Sequence, residues 1–216
     1  MEKIRQKLRP LMVFVPFSPY NIILGALDKG SKSLLEVGCE RGRSGEIIRR
    51  RRHFHMIGAD IYLPFLREDK DKGIYDDYVQ CDIRSLPFRK KSVDTLLCLA
   101  VVEHLEKEEG LRLIEVMEEV ARKQVILLVP VGEWRQTDFG TNPYNRHVSL
   151  WYPDEFKKRG YKVRGYEVRN LCDQKGPILP LSNVFPPITP LVWLLCGPFV
   201  YLLPRLAGNM VCFKDL

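Results

Sequence analysis

The chain has 216 residues, of which 45% are hydrophobic and 28% are charged, so it can bury a sizeable core. This composition excludes intrinsic disorder, a collagen-like repeat and a coiled coil. The formal net charge of +7 suits an anionic partner but does not choose among phosphate ligands, nucleic acid and membranes. The six cysteines form no Cys-x-x-Cys pair, so we expect reduced thiols in a cytoplasmic protein.

Apolar strands alternate with amphipathic helices along the first 130 residues. A capped helix is predicted after Ser18-Pro19 and before Gly30. Five strands are predicted next, with helices between some of them: strands at 33–37, 54–59, 78–81, 93–99 and 125–129, and helices at 44–52 and 107–122. This alternation indicates a parallel sheet covered by helices on both faces.

The last third of the chain predicts one more helix and two strands. The helix, at 151–160, has a proline and acids at its start and bases and a glycine at its end. The strands are predicted at 161–168 and 210–213. Between them, residues 176–204 carry no charge, but seven prolines leave no piece long enough to cross a bilayer.

The carboxyl ends of four predicted strands carry residues suited to a nucleotide. Ligands of open α/β sheets bind at this edge. The second strand ends in Asp60, 24 residues after Glu36, and an acid about twenty residues beyond a glycine-rich turn suits a ribose diol. The other ends are Glu36-x-Gly38-x-x-x-Gly42, Asp82 and Ala100-Val-Val-Glu-His104. A dinucleotide fingerprint is a poor match, because Glu40 and Arg43 stand where two of its glycines belong.

In this order and spacing the segments resemble the class I S-adenosylmethionine-dependent methyltransferases of the small-molecule, type 11-like branch. Leu34–Gly42 resembles the glycine-rich first motif, Asp60 the ribose-binding acid and Val101–Leu105 the segment after strand four. Cys81–Ile83 resembles the adenine-contacting acid and its neighbours. The resemblance implies an α/β, Rossmann-like sheet of seven mostly parallel strands, with helices on both faces and the last strand antiparallel.

S-adenosylmethionine is the cofactor that the resemblance implies. The matching glutamate, Glu36, organises the glycine loop in that family and helps to hold the cofactor's ammonium end. Glu40 departs from the pattern, because the family usually has a glycine there. The resemblance implies these cofactor-binding residues: Glu36, Gly38, Cys39, Glu40, Gly42, Asp60, Ile61, Asp82, Ile83 and Leu99.

Two histidines are candidates for catalysis. His104 could act as a base, although packing or capping beneath the cofactor is the plainer interpretation, and His147 lies in a loop expected to overhang the strand tips. Methyl transfer from a sulfonium depends mainly on alignment, and a base is needed only for a protonated, weakly nucleophilic acceptor. The histidines and acids show no metal-ligand spacing, so no metal is expected.

The predicted function is methyl transfer to a small, apolar or lipid-like acceptor by in-line displacement. The alternative is a catalytically silent cofactor-binding module that acts through partner contact. Nucleic acid is disfavoured as a partner, because no Asn/Asp-Pro-Pro-aromatic motif follows strand four and Arg49–Arg52 reads as a solvated helix end.

We expect one methyltransferase domain over 1–216, with an N-terminal lid or helix at 1–30. An apolar, proline-rich insertion at 170–208 separates the last two strands. It could pack over the sheet edge or join Leu11–Phe17 as a lid for an apolar acceptor or a membrane surface, with Lys3 to Arg9 at anionic head groups. It would also allow an oligomer, and the location is cytoplasmic or peripheral to a membrane.

Overall fold

The computed structural model describes residues 16–133, 144–168 and 188–216. Predictions for residues 1–15 and 170–187 lie outside the described residues. The helices are α1 (Pro19–Ala26), α2 (Arg43–Arg49), α3 (Leu63–Asp71), α4 (Lys107–Val120), α5 (Pro153–Lys158) and α6 (Ile188–Leu202). The strands are β1 (Ser33–Val37), β2 (His55–Asp60), β3 (Asp77–Gln80), β4 (Val93–Leu99), β5 (Ala121–Pro130), β6 (Lys162–Val168) and β7 (Ala207–Asp215).

The seven strands form one sheet in the order β3-β2-β1-β4-β5-β7-β6. The pairs β1–β2, β1–β4, β2–β3 and β4–β5 are parallel, and the last strands are antiparallel. The order reverses at β1, where β2 lies on one side and β4 on the other. This arrangement confirms the predicted fold class, and it places the switch point at the end of β1.

The centre of the sheet is held by strands that are apolar on both faces. Leu34, Leu35 and Val37 of β1 are fully buried, as are Leu96 and Leu97 of β4. Such strands read as continuous apolar runs because helices cover both faces of a parallel sheet.

The helical period predicts an inward face on α4 of Leu113, Val116, Met117, Val120 and Ala121. Leu113, Met117 and Val120 are buried, but the prediction was wrong for Val116, which is 36% exposed, and Ile114 is buried instead. Ala121 is buried as the first residue of β5.

Two helices differ from the sequence prediction. Helix α3 was not predicted, because its proline near the first position and its charged second half mask a short apolar stripe at Phe65 and Leu66. Helix α6 runs from Ile188 to Leu202 and was not predicted either, because it lies in a proline-rich run and contains Pro198. Among the described residues, the structure has no helix that meets the length and hydropathy needed to span a membrane.

The chain divides into two compact units. One comprises 27–129, 136–150 and 213–216, and it contains β1–β4, α2–α4 and nearly all of β5. The other comprises 1–26, 130–135 and 151–212, and it contains α1, α5, α6, β6 and most of β7. The organisation of 1–216 as a single methyltransferase domain remains a prediction.

Within the second of these units, α6 packs closely on β6. A Cβ added to Gly165 would lie 2.4 Å from the carbonyl oxygen of Val200, so only glycine permits this approach. Phe17 meets the same helix, with its ring centroid 5.4 Å from that of Tyr201 and its edge against Gly197. One side of α6 is therefore well anchored to its own unit.

Candidate active site

The loop after β1 is fastened to the end of β2 by backbone hydrogen bonds. Val37 lies opposite Ala59 on one side and Cys98 on the other. Beyond the strand, the amides of Gly38 and Cys39 both donate to the Ala59 carbonyl, at 2.8 and 3.1 Å. The ends of β1, β2 and β4 therefore meet at one edge, as the sequence predicted.

Gly38 and Gly42 are required by the packing of the loop. Both have a left-handed backbone, with φ of 67° and 61°. A Cβ at Gly38 would lie 2.4 Å from Val101 Cγ2, and one at Gly42 would lie 2.6 Å from Ile74 Cδ1. The residues that force glycine at these positions belong to the protein itself, and close approach to a cofactor remains a prediction for both.

Asp60 is the residue that fixes the middle of the loop. Its carboxylate is 6% exposed and accepts hydrogen bonds from the Glu40 amide at 2.9 Å and the Tyr62 amide at 2.8 Å. Each oxygen keeps a further lone pair for a ligand hydroxyl. Glu40 itself has φ of 50°, a left-handed conformation that costs a non-glycine residue free energy.

Glu36, near the end of β1, has a buried carboxylate that accepts hydrogen bonds from two hydroxyl groups. It is 1% exposed and accepts hydrogen bonds from the Ser44 hydroxyl, in the first turn of α2, and from the Tyr75 hydroxyl at 2.8 Å. Burial raises its pKa to about 7, although these two hydrogen bonds oppose the rise. Glu36 therefore joins the end of β1 to α2 and to Tyr75. Its predicted roles in organising the glycine loop and in contacting a cofactor ammonium group remain predictions.

A second buried acid, Asp69 of α3, lies under the same loop and was missed by the sequence analysis. A Cβ at Gly42 would lie 2.9 Å from its Oδ2, and burial raises its pKa to about 7. Neither of its carboxylate oxygens has a hydrogen-bond partner. It was missed because α3 itself was not predicted.

The carboxylate of Asp82 makes its hydrogen bonds within the turn that follows β3. It caps the short turn Ile83–Ser85 by accepting from the Arg84 amide at 2.9 Å, and its carboxylate pairs with the Arg84 guanidinium at 2.5 Å. These hydrogen bonds lower its pKa. Its predicted contact with adenine is untested, as are those of its neighbour Ile83 and of the half-buried Ile61 and Leu99.

The chain turns sharply after β4 and brings both candidate histidines together. Ala100 has φ of 56°, and the turn Val102–His104 follows. His104 Nδ1 lies 3.1 Å from the Arg146 carbonyl oxygen, and the His104 and His147 rings meet edge to face with centroids 4.8 Å apart. Burial lowers the pKa of His104, although nearby backbone carbonyls oppose this, so its neutral form is favoured.

Glu103 is the further polar residue of this turn, and the sequence analysis did not single it out. Its side chain is 2% exposed, neither carboxylate oxygen has a hydrogen-bond partner, and burial raises its pKa to about 8. The signal was present, because a charged residue in Val101-Val-Glu-His-Leu105 stands in an otherwise apolar stretch. Ligand atoms of Glu103, His104 and His147 all lie within 4.8 Å of one another, so these three residues could hold a cation.

This fold, with a glycine-containing loop at the switch point and a buried acid at the end of β2, defines a class I S-adenosylmethionine-dependent methyltransferase domain. Residues 35–129, somewhat under half of the chain, match the methyltransferase type 11 family model, described as a methyltransferase domain. The predicted resemblance is therefore confirmed.

Similar proteins include two curated relatives and a solved structure. The chain is 25% identical over 119 residues to "Probable tRNA methyltransferase 9B" of Bos taurus, covering 55% of this chain and 24% of the relative. It is 26% identical over 162 residues to the tRNA (carboxymethyluridine(34)-5-O)-methyltransferase of Arabidopsis thaliana, covering 74% and 37%. The chain thus spans about a quarter to a third of these relatives. A SAM-dependent methyltransferase from Archaeoglobus fulgidus shares the fold, with a TM-score of 0.59, 18% identity and coverage of 100% and 94%.

S-adenosylmethionine is the cofactor of this domain family, and the loop fits it. The ribose diol needs a buried acceptor beside the glycine-containing turn, and Asp60 supplies one that the backbone already holds in place. The individual contacts of the ten predicted cofactor-binding residues remain predictions.

Asp60→Ala is expected to weaken cofactor binding by about ten- to hundredfold, because charge-assisted hydrogen bonds contribute roughly 1.5–3 kcal/mol each. Calorimetric titration with S-adenosylmethionine measures this, and circular dichroism checks that the fold survives. Asp60→Asn separates the two roles of the residue, because it keeps an oxygen acceptor and removes the charge. Asp77→Ala, at an exposed carboxylate on β3, is the matched control. Wild-type affinity in a folded Asp60→Ala protein contradicts the ribose assignment.

Glu40→Gly is expected to raise the free energy of unfolding by about 1 kcal/mol, because it relieves the left-handed backbone. The same change is expected to weaken cofactor binding by about fivefold if the carboxylate holds the ligand's ammonium group, as exposed ion pairs contribute up to about 1 kcal/mol. Urea unfolding and calorimetry measure the two effects. Glu40→Gln is the control: it retains the strain and loses the charge, so only its affinity should fall. Equal cofactor affinity in all three proteins makes the glutamate silent in binding.

Proposed function

We propose that this chain transfers the methyl group of S-adenosylmethionine to a small apolar or lipid-like acceptor. The observation that carries methyl transfer is the loop held by Asp60 at the switch point of a methyltransferase fold. A catalytically silent module is less well supported, because a polar cluster of Glu103, His104 and His147 lies at the turn after β4.

In the proposed reaction the acceptor attacks the methyl carbon in line with the sulfonium sulfur. The new bond to carbon forms as the carbon–sulfur bond breaks. The electron pair of the carbon–sulfur bond stays on sulfur, so the sulfonium becomes an uncharged thioether. A proton on the acceptor passes to a nearby base or to water. Alignment of donor and acceptor can supply roughly 7–11 kcal/mol of the barrier reduction, so much of the protein's contribution is positioning.

An apolar acceptor or lipid surface is supported by the outer side of α6. Five large side chains on α6 and the residue after it are exposed by more than half: Leu194, Leu195, Phe199, Leu202 and Leu203. They fall at i, i+1, i+5, i+8 and i+9 and so share one face, while Val200 on the opposite face is buried. An exposed apolar face of this kind marks an interaction surface.

The charge and chemistry of the chain favour a membrane surface as the occupant of that face. The sequence just before Phe17, whose ring packs on α6, contains Lys3, Arg5, Lys7 and Arg9, and the whole chain carries a net charge of +7. An apolar face combined with basic residues suits anionic lipid. The five cysteines in the described part of the chain are free thiols, which agrees with a cytoplasmic protein peripheral to a membrane.

Transfer RNA is the second candidate acceptor, because both curated relatives are named as tRNA methyltransferases. The arginine-rich end of α2 gives little support to a tRNA acceptor. Arg49 pairs with Asp76 at 2.7 Å and Arg50 with Glu46 at 2.6 Å, so these guanidinium groups are engaged within the protein. The matched segments are only 24% and 37% of the two relatives, and their acceptors belong to the whole proteins.

Turnover is expected with a membrane lipid extract and to be absent with unmodified tRNA. The assay measures S-adenosylhomocysteine release in the presence of each pool and of a soluble metabolite extract, with tritiated donor to identify the methylated product. Asp60→Ala is the control for enzyme-dependent release and should reduce it by about ten- to hundredfold at low cofactor concentration. Turnover confined to tRNA overturns the apolar acceptor, and cofactor binding without turnover in any pool favours the silent module.

Phe199→Ser combined with Leu202→Ser is expected to reduce binding to phosphatidylglycerol-containing vesicles by at least about tenfold, because burial of each large side chain contributes roughly 1.5–3 kcal/mol. Vesicle co-sedimentation measures this, with neutral phosphatidylcholine vesicles to test the charge term. Val116→Ser, at an apolar residue of α4 that is 36% exposed, is the matched control. A wild-type protein that ignores both vesicle types contradicts the membrane role, and concentration-dependent dimerisation in sedimentation velocity assigns the face to a second copy.

A further inference from the structure

The turn after β4 is joined to the loop at 144–150 by hydrogen bonds. The amides of Val148 and Ser149 donate to the Glu103 carbonyl oxygen at 2.8 and 3.2 Å, and the Ser149 hydroxyl donates to the Val102 carbonyl oxygen at 3.2 Å. His147 precedes these residues and is therefore held against His104, with which it makes its edge-to-face ring contact. The arrangement of Glu103, His104 and His147 is thus built by backbone hydrogen bonds.

Glu103 is the residue of this arrangement whose buried carboxyl group lacks a compensating partner. A carboxyl group that is 2% exposed requires compensation for its lost hydration, yet neither oxygen has a hydrogen-bond partner in another described residue, and only its own backbone opposes the rise in its pKa. Both imidazoles lie within reach of it, and one ligand atom from each of the three residues falls within 4.8 Å of the others. The missing partner therefore belongs in the space between a carboxylate and two imidazoles.

His104 is oriented as a metal-binding histidine is. Its Nδ1 lies 3.1 Å from the Arg146 carbonyl oxygen, and the backbone of Ala100 is a second polar neighbour of the ring. In the neutral ring, a proton on Nδ1 that donates to Arg146 leaves the lone pair on Nε2. A carbonyl that fixes the tautomer and ring orientation is the usual outer partner of a coordinating imidazole. Two imidazoles and one carboxylate suit divalent transition metals such as zinc, and three protein ligands leave a position open.

We infer that Glu103, His104 and His147 bind one divalent transition-metal ion of the zinc class. The second part of the inference rests on the proposed function: the open position receives an oxygen of the methyl acceptor. A bound cation lowers the pKa of a coordinated hydroxyl, so the acceptor would lose its proton to water before the methyl group arrives. This differs from the sequence-based expectation of no metal, because His147 lies 43 residues beyond His104 and only the folded loop joins them.

The binding test uses cobalt(II) chloride added to chelator-stripped protein, without cofactor or acceptor. One ion per chain is expected, with visible absorption bands of nitrogen and oxygen ligands and no thiolate charge-transfer band, and zinc(II) should displace it. Glu103→Gln and His147→Ala should each weaken binding by at least tenfold. His55→Ala, which removes an exposed imidazole beside Asp76 and Asp77, should leave it unchanged.

The spectrum of the wild-type protein needs no variant, so a variant that fails to fold does not decide the outcome. No saturable binding at one ion per chain overturns the site, as does a thiolate spectrum, wild-type affinity in folded Glu103→Gln and His147→Ala proteins, or loss of binding in His55→Ala. These results are independent of turnover and so are distinct from a failure of the proposed function.

The acceptor role has its own test. Stripping the ion should leave the affinity for S-adenosylmethionine unchanged and reduce turnover by at least tenfold, with recovery on addition of zinc(II) or manganese(II). Turnover that is undiminished in stripped protein overturns the role at the acceptor.

Discussion

Two backbone amides converge on the carboxylate of Asp60, and the geometry of the candidate cofactor loop depends on that convergence. A buried carboxylate must be compensated. Here one compensating amide comes from Glu40 in the loop and the other from Tyr62 just beyond β2, so the charge that would bind a ribose also holds the loop against the end of β2. The Gly38 and Cys39 amides add a second attachment, to the Ala59 carbonyl. The loop is thus prepared before any ligand arrives, and binding need not include the entropy cost of ordering it.

Much of this arrangement could be predicted from the sequence, because it follows from local pattern. Apolar runs predicted the strands, and residues placed immediately after them, such as Gly38 and Asp60, had to meet at one sheet edge. What could not be predicted depends on tertiary contact. Glycine at position 38 is explained by Val101 lying above it, which no spacing shows. The pairing of His104 with His147 likewise depends on backbone hydrogen bonds from a distant loop.

Helix α6 could not be predicted from the sequence, because prolines usually end or kink a helix. A proline removes one hydrogen bond from a helix and crowds the preceding turn, at a cost of about 3 kcal/mol, so a proline-rich run predicts a broken chain. Helix α6 nevertheless passes through Pro198, and the close approach of Val200 to Gly165 shows what opposes that cost. Packing of the inner face keeps the helix continuous, and a continuous helix is what aligns the exposed leucines on one side.

Glu103 serves the protein twice through different atoms: its carbonyl oxygen anchors the 144–150 loop, and its side chain supplies the buried acid. Any residue with a carbonyl could provide the anchor, whereas only the side chain determines the chemistry. The anchor and the chemistry at this position can therefore diverge separately during evolution. A lineage could exchange the acid for an amide or an apolar group and keep the loop. Related proteins could therefore acquire new acceptors here without losing the fold of the loop.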